Sequence, residues 1–145
     1  MSTIVCTAPD TGYDRCSNDN AHVDTPPKIL AVDDNRSVTL SMGFVFAKPR
    51  YQFSHIENAV DALKILETQS HPYDVIIVDQ QMPELSGLEF VRELRKRGIG
   101  AKIVIVAAVL PADARMAYEQ MGVERIFSKP FDVIQLRSAV DSLVA

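Results

Sequence analysis

The sequence predicts an α/β fold, a doubly wound sheet of five parallel strands with helices on both faces, and three observations carry that prediction. The first is the run Val75-Ile76-Ile77-Val78, four β-branched residues that stop at Asp79. Such a run reads as a strand buried on both faces, as inside parallel sheets. The second is that four more strand-sized apolar segments alternate with helix-period segments between residues 28 and 145. The third is that the connections are short, which suits right-handed crossovers. In open sheets of this kind ligands bind outside the carboxyl ends of the strands, so Asp79 stands where function is expected.

Taken in order, residues 1–27 mix Asp, Asn, Ser, Thr, Gly and Pro and close on Thr25-Pro26-Pro27. We expect a disordered or loosely docked extension there. Lys28-Ile29-Leu30-Ala31-Val32 is the first strand, ended by the adjacent acids Asp33 and Asp34. From Arg36 to about Lys48, Val38, Leu40, Met42, Phe44, Val45 and Ala47 give a broad apolar helical face that Pro49 stops. Tyr51 to Ile56 is a weaker second strand. Asn58 caps a helix with Ala59, Ala62, Leu63 and Leu66 at helical spacing, and His71-Pro72 breaks the chain before the Asp79 strand.

Ser86 is a good N-cap for the third helix, with Leu88, Val91 and Leu94 toward the sheet and Glu89, Arg92 and Arg95 toward water. Its last turn holds Arg95-Lys96-Arg97, where cations favour the helix dipole, and Gly98 ends it. Lys102 to Ala108 is the fourth strand. A helix from about Ala112 to Met121 follows Pro111, with Gly122 as its stop. Arg125-Ile126-Phe127-Ser128 is the fifth strand, and Asp132 caps a last helix carrying Ile134, Leu136, Val140 and Leu143.

Composition narrows the class. With 145 residues, 47% hydrophobic and 23% charged, the chain fits one domain with an ordinary core. The net charge of -4 gathers in residues 1–27, and no basic footprint for nucleic acid appears. Apolar runs are far shorter than the roughly 20 residues of a membrane span, and the start lacks a secretory pattern, so we expect no membrane partner and a cytoplasmic location. Cys6 and Cys16 fall in the polar extension, where no disulfide is needed for folding.

In a parallel sheet the ends of strands one, three and five share an edge, so Asp33, Asp34, Asp79 and Lys129 should converge. Crowded carboxylates repel unless a cation neutralises them, and hard oxygen ligands suit Mg²⁺. Lys129 adds a fixed positive charge for an anion, so the site suits a phosphoryl group. Asp79 is then the nucleophile, giving an aspartyl-phosphate.

These motifs, Val32-Asp33-Asp34, Asp79-Gln80-Gln81-Met82-Pro83 with Gly87, and Lys129-Pro130-Phe131, resemble the receiver domains of two-component response regulators over residues 28–145. The resemblance implies a flavodoxin-like, chemotaxis-regulator-like fold acting as a stand-alone receiver. It implies Asp79 as phospho-acceptor, Asp34 as a direct Mg²⁺ ligand with Asp33 assisting through water, and the main-chain carbonyl of Gln81 as a third protein ligand. Lys129 pairs with the phosphoryl group, the main-chain N–H groups of Gln81 and Ala108 bind its oxygens, and a cis bond precedes Pro130. The donor is a phosphohistidine on a sensor histidine kinase or phosphotransfer protein. Apart from its own phosphorylation and dephosphorylation the chain is expected to catalyse nothing, and it signals to a downstream protein through contacts.

Two positions depart from the family pattern. Ala107 stands where a Thr or Ser hydroxyl usually binds the phosphoryl group, and Ile126 stands where an aromatic ring usually swings inward. No nearby Ser or Thr in the sequence substitutes. Switching is therefore expected to be atypical, and Val109, two residues past Ala107, is expected to hinder attacking water. Val109, Met116 and Tyr118 are candidates for the partner surface. A competing reading is a degenerate receiver acting as a constitutive binding module or phosphate sink. A distant one is a small Mg²⁺-dependent phosphohydrolase of the haloacid-dehalogenase type, which wants Asp-x-Asp rather than adjacent acids.

Overall fold

Five apolar segments of the sequence become the strands of one parallel sheet. The computed structural model describes residues 25–68 and 73–145. Its strands are β1 (Lys28–Val32), β2 (Gln52–Ile56), β3 (Val75–Asp79), β4 (Lys102–Ala107) and β5 (Arg125–Ser128). They alternate with α1 (Arg36–Val45), α2 (Ala59–Thr68), α3 (Gly87–Lys96), α4 (Ala112–Gln120) and α5 (Val133–Val144). The sheet order is β2-β1-β3-β4-β5, with all neighbours parallel. Most of the expected N-terminal extension, with Cys6 and Cys16, lies outside the described residues, as does the His71-Pro72 break.

Alternation along the strands divides the core into two layers. Leu30, Val32, Ile76, Val78, Ile103 and Ile105 face α2, α3 and α4, where Ala59, Ala62, Phe90, Val91, Leu94 and Tyr118 are buried. Ile29, Ala31, Val75, Ile77, Val104 and Val106 face α1 and α5, meeting Met42, Phe46, Leu136 and Val140. Because β3 is covered on both faces, it is buried along its whole length, through Asp79. Helix starts are fixed locally. Ser86 and Glu89 form a reciprocal capping box on α3, and Asn35, Asn58 and Asp132 accept from main-chain N–H groups in the first turns of α1, α2 and α5. Gly98 and Gly122 take φ of 73° and 77° just past α3 and α4, a conformation glycine adopts without steric cost.

The structure corrects several sequence expectations. The apolar face of α1 is narrower than expected, because Leu40 is 63% and Phe44 84% exposed, and Ala47 is exposed beyond the helix end. An α-helix packed on one sheet face buries a single stripe, here Thr39 and Met42, and Leu40 and Phe44 lie on the opposite side. Ile134, in the first turn of α5, is likewise exposed. On α3 Leu88 packs half-buried against the same layer as Val91 and Leu94, as expected, and Phe90 joins them fully buried. Tyr118, expected on the partner surface, is fully buried.

Arg95 does not simply face water at the dipole's negative end. Its Nε donates to the Met121 carbonyl at 2.9 Å and its Nη1 to the carbonyls of Ile99 and Ala101 at 3.0 and 3.1 Å. One guanidinium thus ties the end of α3 and the turn before β4 to the end of α4. Arg95→Met keeps the aliphatic stem but removes hydrogen bonds from a charged donor, each of which contributes roughly 1.5–3 kcal/mol in favourable settings. With partial solvent exposure, we expect a loss of about 2 kcal/mol in urea unfolding, and an unchanged midpoint would contradict the staple role.

Candidate functional site

The crevice lies where the sheet order reverses. From β1 the chain crosses over to β2 and from β3 to β4, in opposite directions, so the two crossovers diverge above adjacent strand ends. Val32 pairs with Val78, which brings Asp33 and Asp34, just past β1, next to Asp79 at the end of β3. Asp33 and Asp79 are 1% and 3% exposed, Asp34 is exposed, and one carboxylate oxygen from each lies within 4.8 Å of the others. Lys129 arrives from the end of β5, its main-chain N–H donating to the Ala107 carbonyl at 2.8 Å and its bond to Pro130 cis. Its Nζ stands 3.1 Å from Asp79 Oδ1 and 3.3 Å from Asp33 Oδ2.

The charges do not balance. Burial first, and then the neighbouring charge of Asp33, push the Asp79 carboxyl above the usual carboxylate range, although Lys129 and the Gln81 N–H pull the other way. Burial by itself would lower the Lys129 ammonium, but Asp33 and Asp79 outweigh it and hold the group above its ordinary value. Three carboxylates share one ammonium, and their oxygens are the hard donors a small divalent cation takes. The donor set therefore fits a metal, with the charge deficit as the reason to bind one.

The remaining expected residues cluster around this core. The Gln81 N–H donates to Asp79 Oδ1 at 3.4 Å. Ala108 and Lys129 line a groove of about 470 Å³ that runs along Ser37, Val38 and Ser41 of α1 to Pro130, Phe131 and Val133. Ala107 is buried, and Ile126 packs toward α4 while Phe127 packs toward the opposite layer. Register places Ser128 directly opposite Ala107, a neighbouring hydroxyl that reading along the chain did not supply. Val109 is exposed on the β4–α4 connection.

Two sets of contacts escaped the sequence, although Gly87 itself stands in the motif. Gly87 packs so tightly that a Cβ would stand 2.7 Å from the Asp79 carbonyl oxygen and 2.9 Å from Gln80 Cα, so any other residue must displace main chain. Gln80 accepts a hydrogen bond from the Tyr118 hydroxyl, linking the residue after Asp79 to α4. Neither a lone glycine nor a lone glutamine signals such contacts.

A family model for the response regulator receiver domain matches residues 29–141. The chain belongs to that family. It is 30% identical over 113 residues to sporulation initiation phosphotransferase F of Bacillus subtilis (strain 168), covering 78% of this chain and 90% of that protein. Against response regulator MprA of Mycobacterium sp. (strain KMS), identity is 30% over 119 residues, 82% of this chain but 51% of the relative, so the chain spans about half of that regulator's length. Among solved structures, the receiver domain of the Francisella response regulator 1452 superposes with a TM-score of 0.73 at 26% identity, covering 81% of this chain and 95% of that one. The expected fold is therefore the one observed. Receiver domains are phospho-acceptor signalling modules that work with histidine kinases or phosphotransfer proteins. Among the described residues of this receiver domain no helix is long and apolar enough to cross a membrane.

Proposed function

We propose that Asp79 accepts a phosphoryl group from the phosphohistidine of a sensor histidine kinase or phosphotransfer protein, in a receiver unit formed by residues 28–145 and working in the cytoplasm. The observation that supports this most is the Asp79 carboxylate at the end of a buried central strand, 3.1 Å from Lys129 Nζ and beside two more acids. One Asp79 oxygen attacks phosphorus. The new O–P bond forms as the P–N bond breaks, and the electron pair leaves with the imidazole nitrogen. Lys129 favours the ionised form of Asp79 and then pairs with a phosphoryl oxygen, and the N–H groups of Gln81 and Ala108 donate to the others. Asp33, Asp34, Asp79 and the Gln81 carbonyl would hold Mg²⁺, which when bound supplies neutralisation of the clustered negative charge.

The groove beside Lys129, together with Leu40 and Phe44 on the outer side of α1, gives a donor protein an apolar place to dock next to the acceptor. Output is by protein contacts, for which Val109 and Met116 are exposed. Apart from its own phosphorylation and dephosphorylation the chain has no catalytic task. The apolar Val109, two residues past Ala107, offers nothing to orient a water, so the phosphoryl bond is slowly hydrolysed. A second reading, a constitutive binding module or phosphate sink, is favoured by Ala107 and Ile126, which lack the usual hydroxyl and ring.

Incubation with a small phosphodonor and Mg²⁺, followed by intact mass, tests the proposal. We expect an adduct of about 80 Da, one phosphoryl group, that requires the metal and decays slowly. No adduct despite measurable Mg²⁺ binding would favour the constitutive module.

A further inference from the structure

Tyr118 is where α4 meets the turn that follows Asp79. Its side chain is fully buried in the layer beneath α2, α3 and α4, and its hydroxyl donates to Gln80 Oε1. The same hydroxyl closes over α3, where a Cβ on Gly87 would stand 2.9 Å from it. Gln80 is also held by its main chain, its N–H donating to the Val106 carbonyl and its carbonyl accepting from the Gly87 N–H, both at 2.9 Å. The residue after Asp79 is thus tied to β4, α3 and α4, and the tie to α4 runs through two side chains. Burial, with the charge of Asp79 adding to it, raises the Tyr118 hydroxyl far above its ordinary value, so it stays neutral and remains a donor.

We propose that Tyr118 is a positioning residue that couples the phosphorylation of Asp79 to the placement of α4 through Gln80. The proposal rests on the reading of Asp79 as the phospho-acceptor. A phosphoryl group brings negative charge and three strong acceptor oxygens, which draw in the main-chain N–H groups of the turn after Asp79. The Gln80 side chain moves with its backbone. A buried donor left without its acceptor is costly and has no water to replace it, so α4 follows Gln80. This route needs neither a hydroxyl at residue 107 nor a ring at residue 126. It ends on the helix that carries the exposed Met116.

The test uses beryllofluoride with Mg²⁺ as a stable mimic of the acyl phosphate and reads the amide chemical-shift changes of residues 112–120. Tyr118→Phe keeps the ring and its packing while removing the hydroxyl, and Gln80→Met removes the acceptor at similar volume. We expect each variant to cut the α4 response about threefold or more, with the phosphodonor adduct fraction on Asp79 unchanged in Tyr118→Phe. The double variant should lose no more than either single one, as for two ends of one contact. A full α4 response in Tyr118→Phe with a normal adduct would overturn the proposal alone, and so would additive losses in the double variant. Absence of an adduct on the unsubstituted chain would instead overturn the acceptor reading and this coupling with it.

Discussion

Asp79→Asn should abolish the phosphodonor adduct completely and, at the same time, raise thermal stability at neutral pH in the absence of metal. The first effect follows because an amide is no nucleophile toward phosphorus. The second follows from the direction of the Asp79 shift. Burial and Asp33 raise the folded-state value above the unfolded reference of 3.8. Between those two values the native state holds a proton that the unfolded chain has released, so stability falls as pH rises through that window. As pH rises past that window Asp79 is at its least favourable, and a neutral amide of the same shape relieves it. Lys129 keeps Asp33 at 3.3 Å as its partner, which limits the loss. A gain of about 2–4 °C is the expected size for roughly 1 kcal/mol in a domain of this length. The gain should shrink toward pH 4 and under saturating Mg²⁺. Melting curves at several pH values check this, and a lower melting temperature for the asparagine variant would show that the Lys129 pair outweighs the repulsion.

Lys129→Met carries the opposite expectation. The ammonium faces both buried carboxylates, and its removal leaves Asp33 and Asp79 side by side in a poorly solvated crevice. Breaking a buried pair by removing one partner costs about 3–5 kcal/mol, and the lysine side chain is 19% exposed, so about 2–4 kcal/mol is expected here without metal. A divalent cation at the same acids supplies the missing charge. At a hundredfold excess over its Kd it should return about 2.7 kcal/mol, more than it gives the unsubstituted chain, where Lys129 competes with it. Urea unfolding with and without Mg²⁺ measures both quantities. If Mg²⁺ stabilised neither protein, the three acids would not be a metal site, and the charge deficit would need another explanation. Adduct yield should also fall, because Lys129 favours the ionised form of Asp79 against burial and Asp33.

The fold was legible because its determinants are local and periodic. Five apolar runs became five strands within a residue or two, and Ser86, Asn58 and Asp132 cap the helices they were expected to cap. Asp33, Asp34, Asp79 and Lys129 were legible for a topological reason. Parallel strands bring their carboxyl ends to one edge whatever the loops do, so residues at those ends must converge. What was misread depends on which neighbour covers a side chain. Leu40 and Phe44 belong to the same helical pattern as Met42, yet α1 has only the sheet and α5 to pack on, and they are left in solvent. Arg95 carries the same charge as Lys96 and Arg97, and only the return of the chain at Met121 gives its guanidinium carbonyls to bind.

By itself, then, the sequence determined the strand order's raw material, the helix caps and the meeting of three acids with one lysine, since these follow from short-range periodicity and strand direction. Only the tertiary structure decided that Tyr118 is buried against Gln80 and that Ser128 stands beside Ala107. Those contacts join residues 38 and 21 positions apart in the chain, and packing between elements, rather than any local preference, selects them.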